Sequence, residues 1–241
     1  MSIEPDSSTV IVVGNYQATS IMDRDLSQLK LNLRNHNIYQ RKLALDELAT
    51  IPSEAALPIL QELLESPDFA LRRIAVMGLG NHVTEASFKL LTKILGTEQD
   101  ANVLAEAANS IFEFGDRSIL PLKQLFANSD SWLVRQTVIS ILVDSDNPQI
   151  LLEIAQLAIA DDDQTTKETG ILALSRLLNT PLKPEALNVF SRLSKAKYWR
   201  TRWRVAIALT ASDDPQARKL LSKLQQDEHY RVVAAALEQP R

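Results

Sequence analysis

The sequence contains no cysteine and has few glycines and aromatic residues, and these absences exclude several classes of protein. Without cysteine the chain can form no disulfide, carries no thiolate nucleophile and has no cysteine-ligated metal site. Only six glycines and 5% aromatic residues argue against a β-sandwich or barrel, which needs turn glycines and aromatic or β-branched strands. No apolar run approaches the roughly 20 residues that span a bilayer.

The charge balance gives the chain no general attraction to nucleic acid. Its net charge is −4 at pH 7, so phosphate groups are not drawn to it as they are to a basic protein. The first residues, MSIEPDSS, are polar and acidic; they do not resemble a signal peptide, which has a basic segment followed by an apolar one. We therefore expect a cytoplasmic protein that does not bind nucleic acid.

A repeat of about 32 residues organises most of the chain. We number each copy from a reference position, position 0, which is occupied by Arg41, Arg72, Leu104, Arg135, Lys167, Arg202 and Arg231. Position 0 is basic in six of the seven copies, and a small or β-branched residue follows at position +3: Ala44, Ala75, Ala107, Val138, Gly170, Val205 and Ala234. In the first six copies position +7 is Leu or Ile. A fixed period of this length is the signature of a repeat architecture.

Each copy is long enough for two helices joined by a short turn. Asn147-Pro148 and Asp214-Pro215 place an N-cap before a proline at the first helical position. Asp68, Asp163 and Asp227 precede position 0 by four residues, where a carboxylate can cap the second helix of the copy. The sequence therefore predicts an all-α fold, an α-α superhelix of about seven helix pairs over residues 23–238. Residues 1–22 lack the repeat, and we expect them to form a loosely ordered N-terminal arm.

Several residues that could suggest a site have an ordinary structural interpretation. The three histidines lie in different copies, so they do not provide the clustered ligands that a metal needs, and we expect no metal site. The run 161–163, Asp-Asp-Asp, lacks the pattern of a calcium loop and is interpreted as a helix cap. Gly78 and Gly80 are expected to lie at the end of a helix, where a left-handed glycine is common.

The segment YWRTRWRVAIAL, residues 198–209, combines three aromatic residues with three arginines. Trp199 stands at position −3, which is apolar in five of seven copies. We interpret Trp199, and Trp132 at the same position, as packing residues, and Arg202 at position 0 as a structural group. At 100° per residue, positions −2, +1 and +5 point away from the apolar positions −1, +3 and +7; in this copy they are occupied by Arg200, Trp203 and Ile207.

These off-pattern residues are the candidate binding site. With Arg204 beside them, and with Arg73 and Met77 at the same positions of the second copy, they combine aromatic surface with guanidinium groups. Three alternatives remain open for Trp203. It contacts a partner protein, it stacks on a small ligand, or the uneven spacing of the sixth copy buries it against a neighbouring helix. No residue is assigned a catalytic role.

The stretches SPDFALRRIAVMGLG (66–80) and NSDSWLVRQTVISIL (128–142) resemble HEAT-like repeats. The short period is similar to that of the E/F-type phycobilin lyases and the related phycobilisome degradation proteins. The resemblance implies a HEAT-like solenoid whose second helices line a concave surface. It also implies a role in placing a phycobilin on, or removing it from, a phycobiliprotein, with a phycobiliprotein or a second HEAT-like lyase subunit as partner. Because the chain has no cysteine, it could hold the bilin only non-covalently.

The alternative to a lyase-type enzyme is a scaffold without catalytic activity that mediates protein–protein interaction. HEAT-like solenoids provide extended surfaces for this purpose. A third class, the HEAT-like DNA glycosylases, needs a positively charged groove to hold its duplex, and the acidic composition of this chain disfavours it.

Overall fold

A computed structural model describes residues 26–145 and 147–238, and in these ranges the chain forms fourteen α-helices, two short 3₁₀ helices and no β-strand. The helices are α1 (26–33), α2 (Ile38–Leu48), α3 (Ser53–Leu64), α4 (Phe69–Asn81), α5 (Glu85–Thr97), α6 (Ala101–Phe112), α7 (Ile119–Asn128), α8 (Trp132–Val143), α9 (Pro148–Ala160), α10 (Gln164–Ala173), α11 (Lys183–Leu193), α12 (Trp199–Leu209), α13 (Pro215–Leu224) and α14 (Tyr230–Leu237). The 3₁₀ helices are Gly115–Ser118 and Leu174–Asn179. The predicted seven helix pairs are confirmed, whereas the predicted N-terminal arm, 1–22, lies outside the described residues.

The described residues form two compact units, which are divided between Lys93 and Ile94. In the first unit a leucine core joins the helix pairs, and its members include Leu29, Leu33, Leu48, Leu60, Leu63 and Leu79. His82 lies inside this core, with Nε2 3.2 Å from the carbonyl oxygen of Leu48 and Nδ1 3.2 Å from the hydroxyl of Ser53. This buried histidine therefore connects the first and second repeats through hydrogen bonds.

In the second unit the second helices of successive repeats lie side by side. Helix α8 contacts α6 and α10, and α12 contacts α10 and α14, while the first helices pack against this row. The core between them contains Ile111, Leu122, Ile139, Leu142, Phe190 and Leu209. Glycine is needed at position +3 of α10, because a Cβ on Gly170 would lie 2.6 Å from the Cβ of Ala158 and 3.0 Å from the carbonyl oxygen of Ala155.

Side-chain oxygens cap the N-termini of second helices, as the sequence predicted. Asp68 accepts a hydrogen bond from the amide of Ala70, and Asp163 accepts one from the amide of Thr166 at 2.7 Å. Asn147 and Asp214 also cap helices that have proline in the first turn. The interpretation of residues 161–163 as a capping turn is confirmed for Asp163.

The arginine at position 0 binds the turn before its own helix and, in α8 and α12, also the next repeat. Arg72, Arg135 and Arg202 each donate from Nη1 to the carbonyl oxygen six residues earlier, at 2.6–3.0 Å. Arg135 and Arg202 also reach into the turn of the following repeat, where Nε lies 2.8 Å from Asp161 and 2.7 Å from Asp227, respectively. The structural role predicted for Arg202 is confirmed.

The repeat register of the seventh copy differs from the prediction by two residues. Every other second helix begins three residues before position 0, whereas α14 begins at Tyr230, which makes Val233 position 0. The burial of the alanines agrees with this register, because Ala236 at position +3 is buried like its counterparts in the other copies, whereas Ala234 is exposed. Asp227 therefore does not cap α14, as the sequence had suggested; His229 does, and Asp227 pairs with Arg202.

Gly78 and Gly80 also differ from their prediction, since neither is a left-handed glycine at a helix end. Helix α4 continues to Asn81, and among the described residues the only glycine with a positive φ is Gly115, at 61°. A Cβ on Gly78 would lie 2.4 Å from Cδ2 of Leu60. Gly78 thus lies where α3 and α4 approach closely, and a larger residue would require the Leu60 side chain to shift.

Candidate functional site

The candidate residues of α12 lie on one face of the helix and contact α10 through a buried carboxylate. Arg200 Nε donates to Oε1 of Glu168 at 2.8 Å, and Arg204 Nε donates to Oε2 at 2.8 Å. Gln164 adds a third hydrogen bond to Oε1 at 2.9 Å. The side chain of Glu168 is buried, whereas Arg200 and Arg204 remain partly exposed. Two guanidinium groups around one carboxylate leave this cluster with a net charge of +1.

Glu168 remains ionised because its hydrogen bonds outweigh its burial. Burial is the largest single influence and raises the pKa of the carboxyl group. The hydrogen bonds from Arg200, Gln164 and Arg204 act in the opposite direction, and together they hold the pKa below its ordinary value. The sequence offered no signal for this residue, since Glu168 occupies position +1 of a different repeat, 32 residues before Arg200.

The aromatic residues of α12 and α14 form a connected group, which we call the aromatic cluster: Tyr198, Trp199, Trp203, His229 and Tyr230. The rings of Trp199 and His229 are parallel, with centroids 4.0 Å apart and an interplanar angle of 2°. Trp199 also lies 6.3 Å from Tyr198 and from Trp203, and His229 lies 5.2 Å from Tyr230. The cluster continues to the surface, where Tyr198 is 46% exposed and Tyr230 is 70% exposed.

Trp203 is half-buried within this cluster. The guanidinium carbon of Arg204 lies 4.4 Å from the centroid of the Trp203 ring, so a cation covers one face of the indole. Ile207, one turn further along, is half-buried as well. A ligand that stacks on Trp203 must therefore use the other face of the ring or displace Arg204.

Arg73 and Met77 lie on α4, in the first unit, and both are exposed. The remaining candidates, Arg200, Trp203, Arg204 and Ile207, lie together on α12 in the second unit. The structure thus brings four of the six residues into one group and describes the other two as part of a separate unit.

The two tryptophans at position −3 differ from each other. Trp199 packs on His229, as predicted. Trp132 is 50% exposed, so its interpretation as a packing residue is wrong. Position −3 is the first residue of the second helix, which lies at the edge of the helix row, and Ile38 and Phe69 at the same position are also exposed. Burial there depends on a specific neighbour such as His229.

A groove of about 560 Å³ between α6 and α8 was only partly anticipated. Leu133 and Gln136 line it, at the outward positions −2 and +1 of α8. Its other lining residues include Asn109, Phe112, Glu113, Ser140, Ile141 and Asp144. Glu113 and Asp144 are the residues that end α6 and α8. The position pattern pointed to this face of α8, but it could not show that two helices leave a gap there.

Neither a metal centre nor a membrane span is found in the described part of the chain. No group of three or more histidine or carboxylate side chains in residues 26–145 and 147–238 is arranged to hold a metal ion. In the same ranges, every helix is too short or too polar to cross a bilayer.

Comparison with known proteins supports the repeat architecture. Residues 26–112 match the sequence model of HEAT repeats. The X-ray structure of Escherichia coli YibA is similar over 98% of this chain and 86% of YibA, with 15% identity and a TM-score of 0.60. The karyopherin Kap121p, bound to the extreme C-terminus of the protein phosphatase Cdc14p, is similar over 89% of this chain but 29% of Kap121p, with 17% identity and a TM-score of 0.51. Identities this low show a shared fold alone, and no curated protein matches the chain.

Proposed function

We propose that this protein is a cytoplasmic HEAT-repeat scaffold that binds a protein partner through the aromatic cluster of α12 and α14. The observation that carries the proposal is the exposure of Tyr198 and Tyr230 at the end of a continuous series of ring contacts. Large aromatic side chains on a surface are typical of interfaces, because they bury much apolar area and still offer a polar group. HEAT repeats suit this role because their stacked helices hold such groups on rigid elements.

The charged groups around the cluster fit a protein partner better than a small anion. Arg200 and Arg204 already donate to Glu168, so an anionic ligand would have to compete with a buried carboxylate for them. Arg231 lies 5.5 Å from the Trp199 ring and is exposed. A surface that is aromatic at its centre and cationic at its rim favours an acidic surface on the partner.

Photo-crosslinking tests the scaffold proposal directly. We expect a benzophenone amino acid in place of Tyr198 to capture one defined partner in cells, and the same substitution at Leu157, an exposed residue of α9, to capture none. We further expect Tyr198→Ala to weaken binding of that partner at least about tenfold, as truncation of an interface hot spot does. Equal capture at both positions, or unchanged binding by Tyr198→Ala, would rule out the cluster as the binding surface.

The more specific proposal is that the partner is a phycobiliprotein subunit or a second HEAT-like subunit, and that a phycobilin is held non-covalently beside Trp203. It is supported by the resemblance of the short repeat to phycobilin-handling proteins and by the combination of an indole with two guanidinium groups. A bilin propionate would pair with the exposed edge of Arg200 or Arg204, both of which stay partly exposed while they donate to Glu168. Holding the chromophore near an acceptor thiol would lower the entropic part of the attachment barrier.

A titration with phycocyanobilin, with and without purified phycobiliprotein subunits, tests the more specific proposal. We expect a shifted absorbance band with the wild-type chain, its loss with Trp203→Ala, and its retention with Trp132→Ala, which removes an exposed tryptophan from another helix. If the wild-type chain causes no shift and binds no phycobiliprotein, this proposal fails. The scaffold proposal would still be tested by the crosslinking experiment.

A further inference from the structure

The groove between α6 and α8 has an acidic end at which two helices terminate. Glu113 follows the last residue of α6, Asp144 follows the last residue of α8, and neither helix has a basic residue in its last turn. A helix C-terminus already carries a partial negative charge, so carboxylates at this position are unfavourable and cations are favoured. Both helices share this unfavourable arrangement at the same end of one groove.

The carboxylates at this end are weakly satisfied within the protein. Glu113 is exposed. Asp144 approaches Arg176 only to 3.9 Å, and both side chains are largely exposed. The lining residues include these two carboxylates but no lysine, arginine or histidine. The groove is therefore complementary in charge to a cation from outside.

The remainder of the groove fits an extended polypeptide. Phe112, Leu133 and Ile141 provide apolar surface beside the acidic end, on which the alkyl stem of a lysine or arginine can lie. Asn109, Gln136 and Ser140 provide amide and hydroxyl groups along the groove, which can hydrogen-bond to a main chain. From Leu133 to Asp144 the lining spans 11 residues of helix, or about 16 Å, which is the length of about five extended residues.

We propose that this groove binds an extended protein segment that places a lysine or arginine side chain between Glu113 and Asp144. The proposal rests on the proposed scaffold function and adds to it a second contact surface with a defined chemistry. The segment lies along α8, its main chain meets Gln136 and Asn109, and its cationic group reaches the two helix ends. An acidic segment is disfavoured by the same charges.

Binding of labelled peptides to the full chain tests this proposal. The probes are fluorescent seven-residue peptides of alanine, leucine and serine with one central residue, which is lysine, arginine or glutamine. We expect the lysine and arginine peptides to bind about three- to fivefold more tightly than the glutamine peptide, since both carboxylates are exposed, and this difference to decrease with added salt. We expect the double variant Glu113→Gln/Asp144→Asn to abolish the difference.

Two controls separate this proposal from its alternatives. Asp130→Asn removes an exposed carboxylate from the turn before α8 and should leave peptide binding unchanged. Tyr198→Ala should also leave peptide binding unchanged. The groove and the aromatic cluster are therefore tested separately, and the failure of one does not imply the failure of the other. The proposal is overturned if no cationic peptide is preferred, if the double variant binds as well as the wild type, or if spermidine competes as effectively as the lysine peptide, since the groove would then bind a small polyamine.

Discussion

Helices α8 and α12 occupy equivalent places in the fourth and sixth repeats, yet they present different chemistry. Both begin with tryptophan and both carry an arginine at position 0 that binds the following turn. Their outward positions −2, +1 and +5 differ: Leu133, Gln136 and Ser140 in α8, and Arg200, Trp203 and Ile207 in α12. The two helices thus share their structural positions −3 and 0, whereas their positions −2, +1 and +5 carry different chemistry.

We expect the largest loss of stability from substitutions at position 0, where both helices carry an arginine. Arg202 is buried and binds Asp227, Glu228 and two carbonyl oxygens. Arg202→Met would leave the buried Asp227 without its cation and should lower the free energy of unfolding by about 3–5 kcal/mol. Urea denaturation should show a smaller loss for Arg135→Met, because the pair of Arg135 with Asp161 is more exposed.

An exposed ion pair provides the control for these arginines. Arg218 and Asp213 lie 2.7 Å apart, and both side chains are largely exposed. Arg218→Met should therefore change the free energy of unfolding by less than about 1 kcal/mol. If Arg202→Met has as small an effect as this control, position 0 does not join the repeats as the structure indicates.

The second largest loss of stability is expected at Glu168, the buried carboxylate that Arg200 and Arg204 of α12 contact. Glu168→Gln keeps the shape of the side chain but removes the charge that Arg200 and Arg204 contact, which should cost about 1.5–3 kcal/mol at pH 7. Since the pKa of Glu168 is lowered in the folded protein, the stabilisation is present above the unfolded pKa of about 4.3. It is lost as the pH falls through the folded pKa.

Denaturation of wild type and Glu168→Gln at neutral and acidic pH provides the measurement. The difference in unfolding free energy between the two proteins should be largest at neutral pH and should shrink below about pH 4.3. Gln136→Glu is the matched variant, since Gln136 has position +1 of α8 and lines the groove. It introduces the same carboxylate without the two arginines and should not stabilise the protein. A pH-independent difference for Glu168→Gln would contradict the ion-pair assignment.

The spacing of the repeat predicted the helix pairs and the roles of positions 0 and +3, because residues one period apart have similar surroundings in the fold. Position +3 is buried in every copy, and position 0 contacts the following turn in both α8 and α12, so Ala75, Val138 and Arg202 could be assigned from sequence. The register of the seventh copy could not be, because Arg231 imitates the basic residue at position 0 although α14 begins two residues later than expected. Helix starts depend on capping geometry, which a single basic residue does not reveal.

The candidate site was less predictable because its partners come from other repeats. Glu168 and His229 contact α12 from α10 and α14, and no spacing rule relates them to Trp199 or Trp203. The groove between α6 and α8 is likewise a property of two helices rather than of one sequence segment. Arg200 and Trp203 were recognised because they depart from the repeat, and that departure was the only signal that the sequence offered.

The smallest effect is expected from the comparison of the two tryptophans at position −3. Trp199→Ala removes an indole that is half-buried and stacked in parallel on His229 at 4.0 Å, which should cost about 2 kcal/mol, less than the loss of a fully buried tryptophan. Trp132→Ala removes a side chain that is 50% exposed and should cost less than about 1 kcal/mol. Thermal denaturation of both variants measures this difference. If their losses are equal, position −3 contributes the same packing in every copy, and the exposed aromatic residues at this edge are part of the fold rather than of a binding surface.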